Sequence, residues 1–180
     1  LLDLVQIVLE TYKIRDGNIR LYKENIMLKG FITEIIEEMR PIAIKTHNTL
    51  NFLPSRDICT MADRIQLKRV IKNLIQNAIS YGEPNSPIDI SIGEIPKYIV
   101  IKVKDYGAGI SKEDINKIFN KYYSAAKKFR KIGTGLGLYL ALQIMKSHGG
   151  ELTVSSEEGE YTEFTLKLPA TINPILHYGE

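Results

Sequence analysis

Cysteine occurs once in the 180 residues, as Cys59. A single thiol rules out an intramolecular disulfide and supports no cysteine-based metal site. Cys59 reads as a small core residue on a strand, and the composition suits a reducing cytoplasm. Long apolar runs are missing as well. No stretch reaches the ~20 residues that a bilayer crossing needs, and no signal-peptide pattern opens the sequence. Because Leu1 already stands inside a helical pattern, the expectation is a segment cut from something longer. Neither sign of charge dominates: 24 Lys and Arg against 21 Asp and Glu leave +3 at pH 7, which gives no argument for a nucleic-acid partner.

What is present is an ordinary globular composition, 44% hydrophobic and 25% charged, in a length that suits one domain with a real core. Apolar residues at helical spacing run from Leu1 to Lys13, through Leu4, Val5, Val8 and Leu9, and stop at "RDGN". "IRLYKENI" is a short strand. Helical spacing returns over residues 27–45, through Phe31, Ile32, Ile35, Ile36 and Met39, where Pro41 predicts a kink or a new first turn. "TLNFLP" and "RDICTMA" read as strands. Asp63, with Gln66 three residues on, caps a helix over "RIQLKRVIKNLIQNAISYG" that Gly82, Pro84 and Pro87 end. "IDISIGEI" and "YIVIKVKD" alternate strictly and make a hairpin. "YGAGISKEDINKIF" reads as a glycine turn and a short helix, and residues 120–132 as basic and irregular. A helix led by "GTGLGL" and a closing hairpin, "ELTVSS" with "YTEFTLKLP", come next, and residues 170–180 form a tail. The mixture lacks a steady βαβ rhythm. It predicts an α+β fold, a two-layer α/β sandwich with one mixed, mostly antiparallel sheet and helices on one face.

Three stretches carry chemistry. In "NLIQNA", Asn73 and Asn77 stand four residues apart, so one helix face presents both amides. In "DYGAGI", Asp105 ends an alternating strand; a carboxylate there can accept a hydrogen bond from an exocyclic amine, while Gly107 and Gly109 let the backbone approach a ring. The bland reading of the same residues is a strand-ending turn. In "GTGLGL", Gly133, Gly135 and Gly137 lead into an amphipathic helix, and successive backbone N–H groups at a helix mouth form an anion site. These glycines fall as G-x-G-x-G, not G-x-G-x-x-G, and follow no strand, so the dinucleotide fingerprint does not apply. The phosphate loop G-x-x-x-x-G-K-[ST] is absent too. Each stretch is weak singly. In order, within the 65 residues from Asn73 to Gly137, they are specific together.

So ordered, the chain resembles the histidine kinase branch of the ATPase superfamily that also includes gyrase, the mismatch-repair ATPase and a heat-shock chaperone. "NLIQNA" is similar to its N box, "DYGAGI" to its first glycine box, "IFNKYY" to its aromatic box and "GTGLGL" to its second glycine box. "HGGELTVSSEEGEYTEFTLKLP" matches the family's closing strands. The resemblance implies a Bergerat-type sandwich that binds ATP and Mg²⁺. It implies that Asp105 meets the adenine amino group with Gly109 under the base, and that Tyr81 flanks the base. Asn77 would give its amide oxygen to Mg²⁺, a cation that prefers oxygen ligands, with Asn73 lining the same metal and phosphate region. Gly133, Gly135 and Gly137 would offer N–H groups to the phosphates. Gly107, Ile110, Tyr122, Thr134, Leu136, Leu138 and Thr162 complete the implied nucleotide site. Residues 121–131 carry five positive charges and no negative ones; between the glycine boxes they read as a lid, with Lys127, Lys128, Arg130 and Lys131 as phosphate contacts. Where the family often has Lys after "NA-x", this chain has Ser80, so one usual phosphate-directed charge is missing.

Asn73 bears on the activity. Hydrolytic relatives resemble one another in a water-activating glutamate at this position, and an amide cannot accept that proton. A kinase whose nucleophile arrives from a separate helix needs positioning and charge neutralisation instead. None of the three histidines suits a phospho-acceptor: His47 lies between a helix and a strand, His148 at a helix end where a basic residue is a common cap, and His177 in the tail. Leu1 to Lys13 resembles the end of the second helix of a dimerisation hairpin, which puts the acceptor upstream, leaving 14–169 as the catalytic domain. The resemblance thus implies a cytoplasmic kinase domain, whether or not the full protein is membrane-anchored. It would phosphorylate a histidine on the dimerisation helix of a full-length homodimer, and a response regulator would take the group onward. An ATP hydrolase or clamp, and a non-catalytic nucleotide sensor, are the competing readings.

Overall fold

Strict alternation builds the sheet. In the strands Pro87–Ile95 (β4), Tyr98–Asp105 (β5) and Tyr161–Pro169 (β7), the residues Ile88, Ile90, Ile92, Ile99, Ile101, Val103, Phe164, Leu166 and Leu168 all point to one buried face. A period of two with one apolar face is what a half-buried antiparallel sheet requires. The computed structural model describes residues 19–54, 56–123 and 135–170. Its other elements are Lys23–Met27 (β1), Leu28–Lys45 (α1), Thr49–Pro54 (β2), Cys59–Asp63 (β3), Arg64–Tyr81 (α2), Gly137–Ser147 (α3) and Glu151–Glu157 (β6).

The five-stranded sheet runs in the order β2-β4-β5-β7-β6, and β1 pairs with β3 in a separate antiparallel ribbon. β2 and β4 are parallel; the other neighbours are antiparallel. The three described helices share one core with the buried sheet face, through Ile32 and Ile35 of α1, Leu67, Ile71, Leu74 and Ile75 of α2, and Ile144 of α3. This is the expected two-layer sandwich with a mixed, mostly antiparallel sheet.

Three local expectations change. Cys59 is exposed, not in the core. The period of two turns Thr60 and Ala62 inward, so Cys59 and Met61 face out. Residues 106–119 form no regular helix; isolated turns such as Ile115 N–H to Ser111 O and Ile118 N–H to Asp114 O stand in its place. α1 passes through Pro41 as one helix. The proline sits at an exposed position, where its missing hydrogen bond falls on the solvent side. The helix read over residues 1–13, and all but Ala170 of the tail read over residues 170–180, lie outside the described residues.

α1 and α2 are also joined by charge. Glu34 meets Arg64 at 2.6 Å and Lys68 at 3.0 Å, and Glu38 meets Lys68 at 2.5 Å and Lys72 at 3.2 Å. These pairs are exposed, so each contributes little by itself.

Candidate nucleotide-binding site

α2 is set from both ends. The Asp63 carboxylate accepts from Gln66 N–H at 3.0 Å and from Tyr22 N–H at 2.8 Å, and Asp63 N–H donates to His148 Nε2 at 3.0 Å. Since Nε2 accepts, Nδ1 carries the proton and donates to the Ile144 carbonyl at 2.8 Å. His148 is therefore a buried neutral cap, not the cationic one expected from its helix end. Burial pushes its pKa below the usual histidine value. With α2 so anchored, its apolar stripe faces the core and Asn73 and Asn77 share a half-buried face.

The Asn73 side chain lies against the start of α3. A Cβ on Gly137 would collide with Asn73 Oδ1, so with any larger residue at 137 the Asn73 side chain would have to move aside. Among the described residues, Asn73 Nδ2 is buried with no hydrogen-bond partner, and the N-cap residue of α3, Leu136, makes no side-chain cap. Asn77, one turn on, has no side-chain hydrogen bond to another described residue. Buried unpaired amide groups are uncommon in folded proteins and call for a partner.

At the other end of α2, Gly82 forms an isolated antiparallel bridge with Gly107, and Ala108 N–H reaches Tyr81 O at 3.4 Å. Tyr81 is half-buried beside this bridge. Asp105 ends β5 with 3% exposure. Gly107 N–H donates to its carboxylate, while Oδ1 has no partner. Burial without a counter-charge raises its pKa from 3.8 to about 7. Thr162, also buried, stands opposite Asp105 in the β5–β7 register. Gly109 has φ +63°, and the Glu157 carbonyl fills the place its Cβ would take. That crowding alone accounts for a glycine there. Ile110 N–H donates to Ser156 Oγ at 2.9 Å.

Tyr122 and Tyr123 divide their roles. Tyr122 is exposed at φ +64°, with its N–H donating to Gly135 O at 3.0 Å. Tyr123 packs against the core and donates its hydroxyl to Asp114 Oδ1 at 2.6 Å. Leu136 is buried and Leu138 half-buried against the core, seating α3. Lys127, Lys128, Arg130, Lys131, Gly133 and Thr134 lie outside the described residues.

Two clusters result. Asn73 meets Gly137, and Asp105 meets Gly107, Tyr81 and Thr162; α2 joins them, with Asn73 and Gly82 nine residues or about 13 Å apart along its axis. Ser156 was not singled out from the sequence. Its only signal there is its place in a hairpin strand, because its partners lie 46 residues away and five residues on.

The family "Histidine kinase-, DNA gyrase B-, and HSP90-like ATPase" matches residues 62–172, and this chain belongs to it. Sensor histidine kinases are among its relatives. It is 32% identical over 173 residues to the sensor histidine kinase WalK of Bacillus subtilis (strain 168), covering 94% of this chain and 28% of that protein. It is 35% identical over 153 residues to the sensor histidine kinase RppB of Synechocystis sp., covering 83% and 34%. The catalytic domain of histidine kinase ThkA superposes with a TM-score of 0.74 at 26% identity, covering 83% of this chain and 97% of that one. The full-length ShkA complex with AMPPNP shares the fold, with a TM-score of 0.84 at 23% identity over 93% of this chain and 35% of that one. The chain is thus a domain of this ATPase family that is similar to sensor histidine kinases, and it spans about a third or less of the length of these curated relatives. No described helix is long and apolar enough to cross a membrane.

Proposed function

We propose that this domain binds Mg-ATP across α2 and passes the γ-phosphoryl group to a histidine on an upstream dimerisation helix, from which a response regulator takes it. Four buried side-chain atoms of the described residues lack a hydrogen-bond partner; the observation that carries the reading is that two of them, Asp105 Oδ1 and Asn73 Nδ2, lie near opposite ends of one helix-lined span. An acceptor at one end suits the adenine amino group. A donor at the other, beside a helix start whose N-cap position is the apolar Leu136, suits an anionic phosphate chain.

In this reading Gly107, Gly109, Ile110, Tyr81 and Thr162 surround the base. Gly133, Thr134, Gly135, Leu136, Gly137 and Leu138 surround the phosphates, with Tyr122, Lys128 and Arg130 in the lid. The hard amide oxygen of Asn77 suits Mg²⁺, which when bound neutralises phosphate charge. Asn73 holds no transferable proton and acts as a positioning group. Residues 1–13 then end the second helix of the dimerisation hairpin, 14–169 are the catalytic domain and 170–180 a tail; this domain lies in the cytoplasm, whether or not the full-length homodimer is membrane-anchored.

The test is to mix the chain with acceptor hairpins of sensor kinases and Mg-ATP and follow acid-labile phosphate on the hairpin. Transfer that disappears in Asn77→Ala is expected. Steady release of inorganic phosphate without transfer would overturn the kinase reading in favour of a hydrolase.

A further inference from the structure

The turn between β6 and β7 grips the glycine loop after β5 from below. Gly159 N–H donates to the Ala108 carbonyl at 2.8 Å. The Glu157 carbonyl stands where a Gly109 side chain would be. Between them sits Ser156. Its hydroxyl reaches the Tyr161 carbonyl at 2.6 Å, Ile110 N–H at 2.9 Å and Thr162 Oγ1 at 3.2 Å.

A serine hydroxyl has one hydrogen and two lone pairs. A carbonyl can only accept, so the Ser156 hydrogen goes to Tyr161 O. A backbone N–H can only donate, so one lone pair is taken by Ile110. The remaining lone pair fixes the direction of the last bond: Thr162 is the donor and Ser156 the acceptor. Thr162 has then used its only hydrogen. What it has left is accepting capacity, on a buried residue opposite the Asp105 carboxylate in the sheet.

We propose that Ser156 is the positioning residue of the purine end of the site: it holds the loop at Ile110 and orients Thr162 as a hydrogen-bond acceptor beside Asp105. Two acceptors side by side favour a purine bearing an amino group over one bearing a keto oxygen. Ser156 thereby sets base selectivity without touching the nucleotide. The inference rests on the nucleotide reading above.

The experiment uses the full chain and calorimetric titration with Mg-ADP, Mg-IDP (the inosine diphosphate, keto in place of amino) and inorganic tripolyphosphate. Wild type is expected to favour ADP over IDP. Ser156→Ala should weaken ADP about tenfold and shrink the ADP/IDP ratio toward one, while tripolyphosphate affinity stays within twofold. Ser156→Thr, which keeps a hydroxyl, should restore the ratio. If Ser156→Ala does not fold, Thr162→Val, which removes only one hydroxyl, should lower the same ratio and Thr162→Ser should preserve it. A variant that keeps the wild-type ratio, or that loses ADP and tripolyphosphate equally, overturns the assignment. Wild type that binds neither diphosphate overturns the nucleotide reading itself, and Ser156 with it.

Discussion

Asp105→Asn is expected to make the free domain more stable at neutral pH and to abolish its response to nucleotide. The carboxyl is 3% exposed, with one N–H donor and no cation. Its pKa rises from 3.8 to about 7 on folding. A group raised on folding stabilises the native state most below its unfolded value, and that contribution declines until the pH passes the folded value. Native stability should therefore fall between about pH 4 and pH 7 from this residue and level off above. At 1.36 kcal/mol per pH unit, the full interval corresponds to roughly 4 kcal/mol, and the part between pH 5 and pH 7.5 to about 2–3 kcal/mol. An amide of the same shape carries no such dependence. Urea unfolding of both proteins at pH 5, 6, 7 and 8 isolates the effect, since other titrating groups cancel in the difference. The variant should gain on wild type by about 2–3 kcal/mol across that range. Adding Mg-ATP at pH 8 should reverse the order, because the ligand stabilises only the form it binds. A difference that is flat with pH, or an equal nucleotide shift in both proteins, would refute the argument.

Other perturbations read separate contacts. Gly137→Ala places a methyl group on Asn73 Oδ1, and a loss of about 1–3 kcal/mol is expected from overpacking; Asn73→Ala in the same chain should recover most of it in a double-mutant thermal denaturation series. His148 acts on pH stability in the opposite sense to Asp105. Burial depresses its pKa, so its contribution is complete above pH 6.5 and is lost as pH falls through the lower folded value. His148→Gln should show less loss than wild type between pH 6.5 and pH 5, and an NMR titration should find the His148 ring neutral at pH 6.5. A protonated ring at that pH would contradict the hydrogen bond from Asp63.

Much of this was legible because the decisive signals are local. The Asp63 cap, the parity of Ile88, Ile90 and Ile92, and the breakers Gly82 and Pro87 act within a few residues of what they determine. Cys59 was misread because a strand's apolar content does not tell which parity faces inward; Thr60 is buried and the thiol is not. The charge state of His148 was invisible because it depends on an N–H 85 residues away. Ser156 shares that reason. The asparagines and glycines of the site could be named from their order, but the close approach of Asn73 to Gly137 needs two helices already packed.

The parallel pairing of β2 with β4 has a consequence for assembly. A hairpin can zip from its turn, but these two strands are separated by everything between Pro54 and Pro87, including β3 and the whole of α2. Their ladder closes only after that stretch has looped across, and the entropy of closing it is lost before any contact repays it. A chain halted before β4 during synthesis has its Asn73 helix made and α1 to lean on, but not yet the strand that carries Asp105.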